Sequence, residues 1–186
     1  MVDVSTKNLY PLIVPVDYVQ SGVWKLPHST LNMPDLILTW VLLQEEQTMV
    51  YVTIEQVREW RRANIDWRKI AIENMRRDTG ESPATHVMRD KTGNLQWVAM
   101  MQADGLGSSR VLMAKELSGL FPDGYLLAIP ERSVGMAVSV NATPEHRNSF
   151  VDVVRNCQRV GITKMLDKLL TPADVLPTTD SFYLDG

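Results

Sequence analysis

The run Asp104-Gly105-Leu106-Gly107-Ser108-Ser109-Arg110 gathers the residue types best suited to chemistry in this chain. It follows a strand-like segment, Leu95 to Met101, and leads into a helix-like one, Val111 to Phe121. A strand, a flexible turn and a helix start converge backbone N–H groups at one point, which is how many proteins hold anions. Gly105 and Gly107 permit positive φ and close approach of a ligand. Ser108 or Ser109 can cap the helix, and Arg110 can grip a phosphate or carboxylate with two bonds. Asp104 opposes an anion there unless it is turned away. The run lacks the Lys-Ser/Thr pair of a P-loop and the third glycine of the dinucleotide fingerprint. Two readings stand: a turn with a helix cap, or a ligand contact at Gly105, Gly107, Ser108, Ser109 and Arg110, with Asn74 as a further polar candidate.

Other chemistry is thinner. A nucleophilic Ser108 or Ser109 needs a base, and the histidines are His28 in a proline-bracketed loop, His86 on a strand and His146 in the first turn of a helix. Spacing brings none of them to a serine. No two histidines are close in sequence and Cys157 stands alone, so zinc-type spacing is absent. Asp104, Glu131 and Asp152 are scattered and read as solvated surface. No catalytic residue, metal or cofactor is expected.

Arg58, Arg61, Arg62, Arg68, Lys69, Arg76 and Arg77 cluster between residues 54 and 79, with Trp60 and Trp67 interleaved. That pattern suits nucleic acid. Glu55, Glu59, Asp66, Glu73 and Asp78 neutralise most of it, so a solvated face laced with ion pairs is the better reading. Met100, Met101, Met113 and Met136 fall within elements and read as core fillers.

The elements that must position these groups are clearer. The chain has 186 residues, 45% apolar and 22% charged, with net charge −3 and pI near 5.6. Such a balance gives no global attraction to nucleic acid or acidic lipid. One cysteine fits a reducing compartment, the start lacks a signal-peptide pattern, and the apolar runs are too short for a membrane span. The expectation is a cytoplasmic protein without a membrane segment.

Leu9 to Tyr18 carries Pro11 and Pro15, which limits it to an edge strand or arm, and a polar loop lies between Pro27 and Pro34. Leu36–Leu43 and 48–52 read as a hairpin around Gln44-Glu45-Glu46-Gln47. Thr53-Ile54-Glu55-Gln56 fits a capping box. Asp66 caps a second helix, with Trp67, Ile70, Ala71, Asn74 and Met75 on one face and Gly80 as its stop. Asn74 on an apolar face needs partners or costs stability; bonding to a nearby loop is the plain explanation.

Two further strand pairs follow, 85–89 with 95–101 and 125–129 with 134–140, around Asp90–Asn94 and Pro130–Ser133. Val134, Met136, Val138 and Val140 share one face of their strand; Gly135, Ala137 and Ser139 on the other predict a closely packed helix. Tyr125–Ile129 is apolar on both faces, as a central strand is. Thr143 and Pro144 start a third helix that sets Phe150, Val153, Val154, Cys157 and Val160 on one side at helical spacing and stops at Gly161. A short helix to Leu170 and an aromatic end, Phe182-Tyr183-Leu184, complete the chain.

Three strand–strand–helix units thus emerge, over about 36–80, 85–121 and 125–161. They predict an α+β fold with one antiparallel sheet of about six strands and helices mostly on one face. Residues 1–35 form an N-terminal arm or edge strand, 36–161 a single domain, and 162–186 a tail packed on or near it.

Over about residues 50–161 the chain resembles the YtpQ-like family of uncharacterised bacterial proteins. The matching pieces are Ile70-Ala71-Ile72-Glu73-Asn74, then Asp104-Gly105 with Ser109-Arg110-Val111-Leu112, then Leu126-Leu127-Ala128-Ile129-Pro130 with Arg132. The resemblance implies an α+β fold and brings no activity. The functional expectation is a non-catalytic binding or adaptor module that engages a protein partner through a sheet edge or helical face. The alternative is an enzyme or sensor taking a phosphorylated or carboxylated small molecule at the 104–110 loop.

Overall fold

The computed structural model describes residues 5–20, 22, 25–44 and 48–180. The chain forms two compact units, one running to Gly80 and taking back the strand Pro177–Asp180, the other spanning Glu81–Leu176. Each unit has its own antiparallel sheet, so the α+β class holds while the expected six strands become sheets of five and four. The division falls inside the span read as one domain. The Glu45–Gln47 part of the first turn and the aromatic end Phe182-Tyr183-Leu184 lie outside the described residues.

In the first unit the elements are β1 (Leu9–Pro15), α1 (Asp17–Gln20), β2 (His28–Leu31), β3 (Leu36–Leu43), β4 (Met49–Tyr51), α2 (Ile54–Arg62) and α3 (Trp67–Thr79). The apolar run of β3 is the spine. It pairs with β1 from Leu9↔Leu42 to Pro15↔Leu36, and on its other side with β2 and then β4. Pro11 and Pro15 keep β1 at the end of the order, because proline has no N–H to give a second neighbour. The polar loop read between Pro27 and Pro34 contains β2, and the proline-broken tail supplies the strand at Pro177–Asp180 that pairs with it. Strands of four residues are too short to show a readable period.

The helices α2 and α3 start as their sequences predict. Thr53 and Gln56 make the two reciprocal bonds of the capping box, at 2.9 and 3.2 Å. Asp66 accepts from the Lys69 N–H, and Gly80 ends α3 at φ 76°. Trp40, Trp60 and Trp67 are all buried and stack as one cluster, with Trp40 and Trp67 edge-to-face at 4.4 Å. The Arg68 guanidinium lies 4.2 Å from the Trp67 ring centroid. Pairs of this kind add about 0.5–1.5 kcal/mol each beyond the area they bury.

The second unit contains β5 (His86–Arg89), β6 (Leu95–Met100), a 3-10 helix (Gly107–Leu112), α4 (Ala114–Leu120), β7 (Tyr125–Glu131), β8 (Val134–Ser139) and α5 (Pro144–Val160). Its strand order is β5-β6-β8-β7. Val134, Met136 and Val138 pack with Trp97, Ala99, Phe150 and Val154 between the sheet and α5. Gly135 faces the other way. A Cβ there would sit 2.3 Å from the Gly107 carbonyl oxygen and 3.1 Å from a Val111 methyl, so the 3-10 helix rests directly on the sheet. Small residues on that face do mark a close helix. The 3-10 helix thus lies on the face of this sheet opposite α5.

The strand β7 is apolar on both faces yet stands last in the order. Its outer edge is covered by the chain itself: Leu127 and Leu170 exchange two N–H···O bonds of 2.8 Å, and the Met165 and Leu166 N–H groups donate to Pro130 and Ile129. The segment that reads as a short helix to Leu170 is not helical and instead bridges to β7 at Lys164 and Leu170, because an unpaired strand edge offers its backbone groups better partners than an isolated turn does. Among the described residues no helix is long and apolar enough to cross a membrane.

Candidate functional site

The glycine loop folds into the protein, not around an open space. Asp104 turns back, accepting from the Leu106 N–H at 2.9 Å and from both terminal nitrogens of Arg110 at 2.9 and 2.6 Å. The Arg110 side chain is only 2% exposed, while that of Asp104 is 26% exposed. The fork that suits a phosphate thus holds a carboxylate of the same loop. Backbone donors are committed as well: the Ser108 N–H bonds the Arg132 carbonyl, the Ser109 N–H that of Leu106, and the Gly105 N–H that of Gln102. Gly105 does use its freedom, at φ 72°. Gly107 serves close approach: a Cβ there would lie 1.9 Å from the Ser133 carbonyl oxygen and 2.4 Å from that of Met100.

Ser108 and Ser109 are fully buried, and neither caps the 3-10 helix through its side chain. The Ser108 hydroxyl has no hydrogen-bond partner among the described residues. A hydroxyl sealed in this way does not reach a substrate. The histidines make local bonds elsewhere: His28 to the Leu26 carbonyl, His86 to Thr85, and His146 to its cap Thr143.

Asn74 belongs to the other unit, and its amide is used there. It donates to the Thr6 and Leu9 carbonyls at 2.8 and 3.0 Å and accepts from Arg77 at 2.8 Å. Arg77 also holds Asp78 with two bonds, and the Tyr10 hydroxyl donates to Asp78. Burial first, then this bond to Asp78, pushes the Tyr10 pKa up to about 12. The network pins the end of α3 to the start of β1. The lone amide on an apolar face marks a polar clasp on neighbouring backbone.

The remaining candidates resolve in the same way. Trp60 and Trp67 are buried, so their rings offer no stacking surface to bases, and Arg62–Glu59 and Lys69–Glu73 form the expected ion pairs. Met100, Met113 and Met136 are buried fillers, whereas Met101 is 44% exposed. Cys157 is half-buried against the α5 core, and burial, followed by the charge of Glu131, raises its thiol pKa. Among the described residues no group of three His, Cys, Asp or Glu side chains is placed to hold a metal.

Sequence reasoning passed over a different place. At one end of the second unit's sheet, the β5–β6 turn, the α4–β7 loop and the end of β8 enclose a concavity of about 420 Å³. Asp90 anchors one wall, where Oδ1 accepts from the Thr92 N–H, the Thr92 hydroxyl and the Asn94 N–H, and Oδ2 from the Gln96 amide. The Thr92 hydroxyl bond is the main cause that holds the Asp90 carboxyl below its usual range. Gln96 accepts in turn from the Thr143 N–H at 2.9 Å, tying the turn to the start of α5. The opposite wall carries Asp123 and Asn141, joined at 3.1 Å. The signal was present in Asp90-Lys91-Thr92-Gly93-Asn94, but turn chemistry accounts for those residues fully. Nothing local links them to Asp123 or Asn141. Against this geometry, the comparisons add no relative: no family model, curated protein or solved structure matches the chain.

Proposed function

We propose that this protein is a non-catalytic cytoplasmic binding module that takes an extended segment of a protein partner onto the outer edge of β5. The supporting observation is the contrast between the two ends of the second unit's sheet. The β7 edge is filled by the chain's own residues 163–170, while β5 ends the order with no further strand among the described residues. Val87 is 52% exposed, and His86 and Arg89 are exposed on either side of it. An added strand gains affinity from main-chain bonds and specificity from alternate side chains. The one suited to this edge sets an apolar residue against Val87 and an acidic one near Arg89. An enzyme or sensor at the 104–110 loop is less well supported, because Asp104 holds the Arg110 guanidinium.

Linear peptides selected against the immobilised protein from a random library test this. The expected outcome is peptides with alternating apolar and acidic positions, which slow amide exchange in β5 and lose affinity with Val87→Pro. Selected peptides that protect α5 or α2 instead, and bind Val87→Pro unchanged, overturn it.

A further inference from the structure

We propose that the concavity between the β5–β6 turn, the α4–β7 loop and the end of β8 is a binding site for a small organic cation, a primary ammonium on a short apolar chain. Three features of its walls carry this. The first is charge. Asp90 and Asp123 both line the space, and among the described residues that line it there is no lysine, arginine or histidine. Two carboxylates facing one volume repel an anion and draw a cation.

The second feature is a division of labour between those carboxylates. Asp90 already accepts four bonds from Thr92, Asn94 and Gln96, so it supplies a fixed negative field and has little left to give a ligand. Asp123 accepts one, from Asn141 on Oδ2, which leaves Oδ1 to take an ammonium N–H. Ser139 accepts from the Asn141 N–H at 3.1 Å and so steadies the residue that orients Asp123. The wall is in place before a ligand arrives, which lowers the ordering cost of binding.

The third feature is apolar lining. Leu95, Leu120, Phe121 and Pro122 line the same space. A hydrated metal ion gains nothing from apolar surface, whereas the methylenes of an alkylammonium do.

Titration of the full chain with putrescine at low ionic strength, followed by calorimetry and amide NMR, tests the site. Asp123 is exposed, so Asp123→Asn keeps the fold, which circular dichroism verifies. The expected result is saturable putrescine binding that weakens with salt, shifts the Gln96 and Asn141 side-chain amides, and falls about tenfold or more in Asp123→Asn, the size of one charge-assisted contact. Glucose and inorganic phosphate, titrated likewise, leave those signals in place. Putrescine binding that is equal in the two proteins overturns the proposal. So do saturation by glucose alone and a lack of any shift at Gln96 and Asn141.

Discussion

The 104–110 loop and the concavity beside Asp90 use similar residue types for opposite ends. In the loop, Asp104 and Arg110 satisfy each other, the Gly105, Ser108 and Ser109 N–H groups meet internal carbonyls, and Gly107 lies against two further carbonyls. Beside Asp90, carboxylates and amides line an open space with no cation among its described walls. Polar groups that satisfy one another build structure; polar groups arranged around a volume leave it available to a ligand. What separates the two regions is therefore where the partners lie, which residue type alone does not reveal.

Changes in the loop should act on stability and leave ligand affinity alone. Gly107→Ala drives a Cβ into two carbonyl oxygens and is expected to cost about 3 kcal/mol or more, measured by denaturant unfolding. Arg110→Ala strands Asp104 and is expected to cost about 3 kcal/mol, the low end for breaking a buried pair, since Asp104 is partly exposed. Arg110→Ala paired with Asp104→Asn should recover part of that loss. In the first unit, Asn74→Leu leaves the Thr6 and Leu9 carbonyls without their donor and is expected to cost about 2 kcal/mol.

The Tyr10 clasp adds a pH signature. Its pKa rises from 10.0 to about 12 on folding, so the stability tied to the protonated phenol is complete below pH 10 and is lost as pH climbs toward 12. Unfolding curves between pH 9 and 11.5 should fall less steeply for Tyr10→Phe than for the parent. Asp123→Asn gives the smallest stability effect, within about 0.5 kcal/mol, and the contrast sharpens if that same change alters amine binding.

Much of the architecture was legible because local signals suffice for it. The Thr53 capping box, the Thr143-Pro144 start and the alternation in Val134–Ser139 each depend on residues a few positions apart. Asn74 was legible too, since an amide on an apolar helix face must find partners. What was missed depends on distant pairing. β2 is a strand because β3 and Pro177–Asp180 flank it, Pro177–Asp180 is one because β2 offers it an edge, and residues 163–170 follow β7 because that strand has an edge to fill. The concavity joins Asp90, Asp123 and Asn141 across 51 positions (141 − 90), with no pattern connecting them. The glycine loop drew the eye because its residues are adjacent, and adjacency is what let them satisfy one another.

The most direct measurement is a pair of amide NMR titrations on the same sample, inorganic phosphate first and putrescine second. Phosphate is expected to leave the Gly105–Arg110 amides unmoved, while putrescine shifts the Gln96 and Asn141 side chains and signals from the Asp90–Asn94 turn. Saturable movement of the Gly107, Ser108 and Ser109 amides with phosphate, and silence beside Asp90 with putrescine, would contradict that expectation.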